Sequence, residues 1–265
     1  MKKAAVLSIL FLMLFPVLGH EFWLQPQKFI YHKNGMMTIR FLVGENFEGE
    51  NWKGNKERIN TLTYYHGKSV IDIANKLSAT IGDSLQLQLE TEGTKVFTYN
   101  SKNSFIQLDA EKFTNYLKED GLENALAYRK AHNEDYSDGK ENYQRSVKTI
   151  VQVGSYKDNT FYRTTNLPLD IIPQKNPYTI KDKDTMKVKI FFRKKLLSNT
   201  LVNVWHRVNN KTTRQELYSN ENGEIKFVQA TKGMWMISTV KMERLRNDKK
   251  ADWQSYWGSC TWGYQ

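Results

Sequence analysis

Apolar residues in this chain alternate with polar ones far more often than they recur at helical spacing. Ile39, Phe41 and Val43 alternate after a turn at Gly35, and Leu85, Leu87 and Leu89 alternate with Gln86, Gln88 and Glu90. Thr61 to Tyr65 and Ser69 to Ile73 flank His66-Gly67-Lys68 as a hairpin, and the stretches 96–99 and 105–108 add two strands. Further on, Val188, Ile190 and Phe192 alternate, as do Val202, Val204, His206 and Val208, then Ile225 and Phe227, then a strand from Met234 to Met242. Asn209-Asn210 and Asn222-Gly223 supply the turns between them. Short strands at this spacing predict β-sandwiches rather than a parallel sheet.

The period changes between residues 109 and 152. Asp109 is an N-cap, and Phe113, Tyr116 and Leu117 share one helical face until Gly121 stops the helix. Leu122, Ala125, Leu126 and Arg129 continue as a second helix, and Tyr143, Val147 and Ile150 have the spacing of a third, ending near Gly154. A Pro/Asn/Lys-rich stretch over 173–178 is the best domain boundary. The expectation is a mainly β chain of two immunoglobulin-like or transthyretin-like sandwich units with an α-helical insertion. The first spans 20–175, with the insertion at about 109–152. The second spans 176–265, and its aromatic tail is a last strand that packs back on the body.

The first 19 residues break the β pattern and have the form of a secretory signal: Lys2 and Lys3, an apolar run from Ala4 to Phe15, then Pro16-Val17-Leu18-Gly19. Val17 and Gly19 suit a cut that makes His20 the first mature residue. After it, no apolar run approaches the ~18 residues of a membrane span. One cysteine, Cys260, allows no internal disulfide and, among large aromatics, reads as a small buried hydrophobe. The charge of +11 is scattered rather than striped, which with export argues against a nucleic-acid partner. The expected location is the periplasm.

A first-position histidine changes the candidate chemistry. Its free amine, with a pKa of about 7.7–8, gives up its proton readily to a metal, and the ring Nδ1 closes a chelate on the same ion. Nickel and copper favour such nitrogens, and copper stands highest in the affinity series. His66 at the hairpin tip, His206 on its strand and Glu45 in the loop after a strand are candidate further ligands, although no histidine pair stands at i, i+4. Arg145 and Lys148, one turn apart on the expected third helix, read as anchors rather than as an anion site. No nucleophile elbow, phosphate loop or zinc-protease helix occurs.

Several stretches taken together carry a resemblance: His20-Glu21-Phe22-Trp23-Leu24, FTNYLKEDGL over 113–122, Tyr143-Gln144-Arg145 with Lys148, Gln152-Val153-Gly154, LPLDIIP over 167–173, and DWQSYW over 252–257. In this order they are similar to a family of exported bacterial proteins catalogued as a domain of unknown function and described as periplasmic accessories of nickel or cobalt uptake. The resemblance covers nearly the whole mature chain and implies paired β-sandwiches with a helical insertion and a metal role for His20. One departure is Val240-Lys241-Met242, where many members have Val-His-Met; a charged Lys241 does not ligate a metal. The expected function is non-enzymatic capture of nickel or cobalt, with copper as a further candidate, for delivery to an inner- or outer-membrane transporter. A copper histidine-brace enzyme acting on polysaccharide and a metal-free envelope binding module are the alternatives.

Overall fold

The computed structural model describes residues 21–52, 56–77 and 84–265. In chain order the strands begin with β1 (Glu21–Pro26), β2 (Ile30–Tyr31), β3 (Gly35–Glu45), β4 (Glu48–Asn51), β5 (Ile59–His66) and β6 (Ser69–Asp72). Next come β7 (Ser84–Leu89), β8 (Gly93–Ser101) and β9 (Ser104–Leu108), then the helices α1 (Ala110–Glu119) and α2 (Glu123–Ala131). They are followed by β10 (Gly139–Val153), β11 (Leu169–Pro173), β12 (Asp184–Phe192), β13 (Lys195–Leu196) and β14 (Leu201–Val208). The chain closes with β15 (Lys211–Tyr218), β16 (Glu224–Gln229), β17 (Met234–Arg244) and β18 (Trp253–Gly263).

These strands make three layers. A ten-stranded central sheet runs β15-β14-β17-β18-β10-β8-β5-β6, with β2 and β9 also on β10. A four-stranded sheet of β1, β3, β4 and β7 covers one face, and a second of β11, β12, β13 and β16 covers the other. The two sandwiches therefore share their middle sheet. Phe97, Tyr99, Val147, Val151, Trp205 and Met236 fill the core under the first covering sheet. Val96, Ile150, Val202, Val204, Ile237 and Cys260 face the second. The tail strand β18 lies between β17, antiparallel, and β10, parallel in a register that sets Glu141 beside Trp253 and Thr149 beside Thr261.

The helix expected over Tyr143 to Ile150 is instead the middle of the fifteen-residue strand β10. Both faces of β10 are covered, so residues 146–153 are all buried and show no alternation. A strand buried on both sides reads as a continuous apolar run whose spacing mimics a helix. β-Branched Val147, Thr149, Ile150, Val151 and Val153 decide for the strand. The helical part of the expected 109–152 insertion thus ends at Ala131. Its start is as expected: the Asp109 carboxylate accepts from the Lys112 N–H at 2.9 Å. Phe113, Tyr116, Leu117 and Ala125 pack these helices onto Val240, Met242 and Trp253 of the central sheet.

Two buried ties place the first strand. The hydroxyls of Ser259 and Thr261 on β18 each donate to a β1 carbonyl, of Phe22 and Leu24, at 2.7 Å. Trp23 beneath the strand is almost wholly buried and stands edge-on to Phe47. The beginning of β1 is therefore fixed against the chain's last strand.

Candidate functional site

Glu21 opens β1 and pairs with Gly44, next to Glu45 at the end of β3. The turn Asn46-Phe47, with φ of 53° and 57°, returns the chain into β4. On the opposite wall α1 ends at Asp120. Gly121 follows with φ of 62° and with Leu201 so close that a Cβ would lie 2.6 Å from it, which seats the helix end on β14. Between them lies a cavity of about 190 Å³ lined by Glu21, Glu45, Glu119, Asp120, Asn203 and Arg214, among others. A smaller adjoining space reaches inward past Glu21, Asp120 and Asn203 to Val240 and Ser259.

Four carboxylates here face one guanidinium. Arg214 is itself paired with Glu216 and lies 5.3 Å over the Trp205 ring. Burial pushes the Glu21 carboxyl up to about 7, Arg214 opposing and the charge of Glu45 adding to the rise. Asp120 is raised well above the usual carboxyl range, first by burial and then by Glu21, Glu141 and Glu119. It also sits at a helix C-terminus, the end where the peptide dipoles disfavour a negative charge. Asn203, 7% exposed, leaves its Oδ1 buried with no donor among the described residues. Carboxylates held where ionising costs energy, beside an acceptor without a donor, fit a bound cation. Among the described residues alone, no three His, Cys, Asp or Glu side chains converge closely enough to hold a metal ion.

The residues singled out from sequence are spread apart. His20 lies outside the described residues, one peptide bond before Glu21. Glu45 lines the acidic cavity. His66, at the hairpin end of β5, accepts on Nδ1 from the Lys95 ammonium at 2.5 Å. Burial and then the Lys95 charge lower its pKa, so it faces a cation where a ligand would need a free lone pair. Lys95, brought down to about 8 by burial, also donates to Thr91 Oγ1 and the Glu92 carbonyl, both at 2.9 Å. His206 stacks on Trp235 at 3.9 Å and uses Nε2 on the Lys232 carbonyl. Neither histidine lines the acidic cavity. Lys241 lines a different space, of about 130 Å³, with Asn124 and Thr200.

Glu21, Asp120 and Asn203 were not singled out from the sequence. Asp120 carried one signal, an acid at a predicted helix C-cap, where lysine or arginine is favoured.

A three-layer β-sandwich with an acidic cavity at its first strand defines the class of protein. The chain belongs to the family described as a domain of unknown function (DUF4198), whose model matches residues 17–243. No curated protein matches it. Among solved structures, the three N-terminal domains of the bacteriophage RB49 Highly Immunogenic Outer Capsid protein align at 8% identity and a TM-score of 0.19, over 91% of this chain and 59% of that one. Escherichia coli alpha-2-macroglobulin aligns at 8% identity and 0.23, over 92% and 20%. Latent PorU from Porphyromonas gingivalis aligns at 12% and 0.17, over 89% and 20%. The chain spans about three-fifths of the three-domain phage chain and a fifth of the other two. Likeness this low carries no argument about function.

Proposed function

We propose that the protein is an exported, non-enzymatic metal-binding protein that takes up nickel or cobalt at its mature N-terminus for transfer to an envelope transporter. The acidic cavity around Glu21 supports this reading, because covalent geometry keeps His20 within about 3.8 Å of Glu21, Cα to Cα. The amine and ring Nδ1 of His20 would supply two nitrogens. The carboxylates of Glu21 and Asp120 would supply oxygens and neutralise the charge, and the unpartnered Asn203 Oδ1 is a further acceptor facing the same space. Mixed nitrogen and oxygen ligands suit borderline divalent ions. Periplasmic location is part of the proposal and rests on the signal-like first 19 residues, whereas the transporter partner rests on the family resemblance alone.

Protons compete for the amine, the imidazole and both carboxylates, so affinity falls as pH drops below about 7, where Glu21 takes up its proton. The copper-brace alternative requires a second histidine at the same ion, and none of the described histidines lines the cavity. The test is nickel titration of processed protein against the double variant Glu21→Gln, Asp120→Asn. The proposal expects affinity to fall by about tenfold or more. Unchanged affinity in the double variant would remove the cavity from the site.

A further inference from the structure

The hairpin joining β12 to β13 is made of residues that its shape disfavours. Phe192 pairs with Lys195, so Arg193 and Lys194 alone form the turn, with φ of 47° and 66°. A two-residue turn with both φ positive favours Asn and Gly, because a longer side chain crowds the backbone there. Asn209-Asn210 makes the same kind of turn between β14 and β15 with suitable residues. At 193–194 the chain instead holds two cations on strained backbone, and such strain gathers at ligand sites.

Both cations line a cleft of about 440 Å³, together with Leu167 and Pro168. Gln144 and Tyr256, side by side in the parallel register of β10 and β18, also line it. Among the described residues, no carboxylate does. Arg193 is held by one edge. Its backbone N–H donates to the Pro168 carbonyl at 2.7 Å, and its Nη2 donates to Tyr256 Oη at 2.8 Å and pairs with Glu243 at 2.9 Å. Its Nε and Nη1 donate to nothing among the described residues, and the Lys194 ammonium has no partner among them either. Glu243 balances Arg193, which leaves the charge of Lys194 over. Acceptors reach the cleft as well. Gln144 spends Nε2 on the Ser101 carbonyl at 2.8 Å and Asn100 Oδ1 at 3.4 Å, leaving its Oε1 without a donor among the described residues. The exposed amide of Asn166, also on the lining, has no partner among them.

We propose that this cleft binds an acidic saccharide, a polyhydroxylated ring bearing a carboxylate. The carboxylate takes charge-assisted hydrogen bonds from Arg193 and Lys194. Ring hydroxyls both donate and accept, which matches the two amides and the Tyr256 hydroxyl, while the C–H faces of the ring suit Leu167 and Pro168. A bare phosphate offers acceptors only and would use neither the amide oxygens nor the apolar lining. The volume is that of a small-molecule site rather than of one inorganic ion. The cleft shares no lining residue with the acidic cavity at β1 and is independent of the metal reading.

The experiment is calorimetric titration of metal-free protein, cleared of chelator and at low ionic strength, with digalacturonate, cellobiose, acetate and inorganic phosphate in turn. Saturable digalacturonate binding is expected, with the other three each about tenfold weaker or more. Lys194→Gly should weaken digalacturonate about fivefold or more while the melting temperature holds or rises, because glycine adopts this φ freely. Arg193→Gln should weaken it about tenfold or more, and Lys194→Gly keeps the test decisive if Arg193→Gln disturbs the hairpin. Non-saturable digalacturonate binding, or wild-type affinity in Lys194→Gly, would overturn the site. Cellobiose binding as tightly would overturn the role of the carboxylate, and acetate or phosphate binding as tightly would overturn the assignment to a saccharide.

Discussion

Replacing Glu21 with Gln is expected to stabilise the metal-free protein above neutral pH and to leave it unchanged in acid. The Glu21 carboxyl ionises at about 7 in the fold against an ordinary 4.5, because burial strips its hydration. Between those values the unfolded chain has lost this proton and the folded chain still holds it. The folded state then binds more protons, so stability falls as pH rises through this window and levels off above it. The full gap between the two pKa values corresponds to about 3 kcal/mol. Solvent reaching the partly open cavity screens the charge, so about 1–3 kcal/mol is expected to appear. For a chain of this size each kcal/mol moves the melting temperature by about 2–4 °C. Calorimetric melting of wild type and Glu21→Gln in EDTA should therefore give equal midpoints at pH 4 and a higher one for the variant at pH 8. A difference that does not change with pH would refute the linkage, as would a variant less stable at pH 8.

Three further outcomes follow from other parts of the fold. Lys148→Met leaves the buried Asp170 carboxylate with only the N–H and hydroxyl of Thr165, and should cost about 3–5 kcal/mol, read by urea unfolding. Adding Asp170→Leu to Lys148→Met should recover much of that loss. Gly139→Ala would place a methyl 2.1 Å from Phe113 Cγ, where the buried ring has no room to move, and should lower stability by about 1–3 kcal/mol in thermal melts. Cys260, wholly buried with its thiol pushed up to about 12 by burial, should resist a disulfide reagent in native protein and react at once in denaturant.

The strands that face solvent on one side were legible from alternation, among them β7 with its three leucines and the β5–β6 hairpin turning at Gly67-Lys68. Asn209 and Asn210, with φ of 48° and 61°, make the turn their residue types announced. Alternation vanishes where a strand is covered on both faces, which is why β10 carried a false helical spacing. The sharing of one central sheet by both sandwiches was not legible, because it depends on the parallel pairing of β10 with β18, more than a hundred residues apart. Glu45, expected in the loop after a strand, is the last residue of β3 and lines the cavity. Glu21 and Asp120 were not identifiable, since what marks them is mutual proximity across a cavity built by β1, α1 and β14.

The central claim is a metal site built on the amine of His20. The most direct measurement is calorimetric titration of correctly processed protein with nickel, cobalt and copper, beside a form carrying one extra residue before His20. The account predicts tight binding by the processed protein and its loss in the extended form, because the added peptide bond removes the amine ligand. Equal binding by both forms, or none by either, would contradict it.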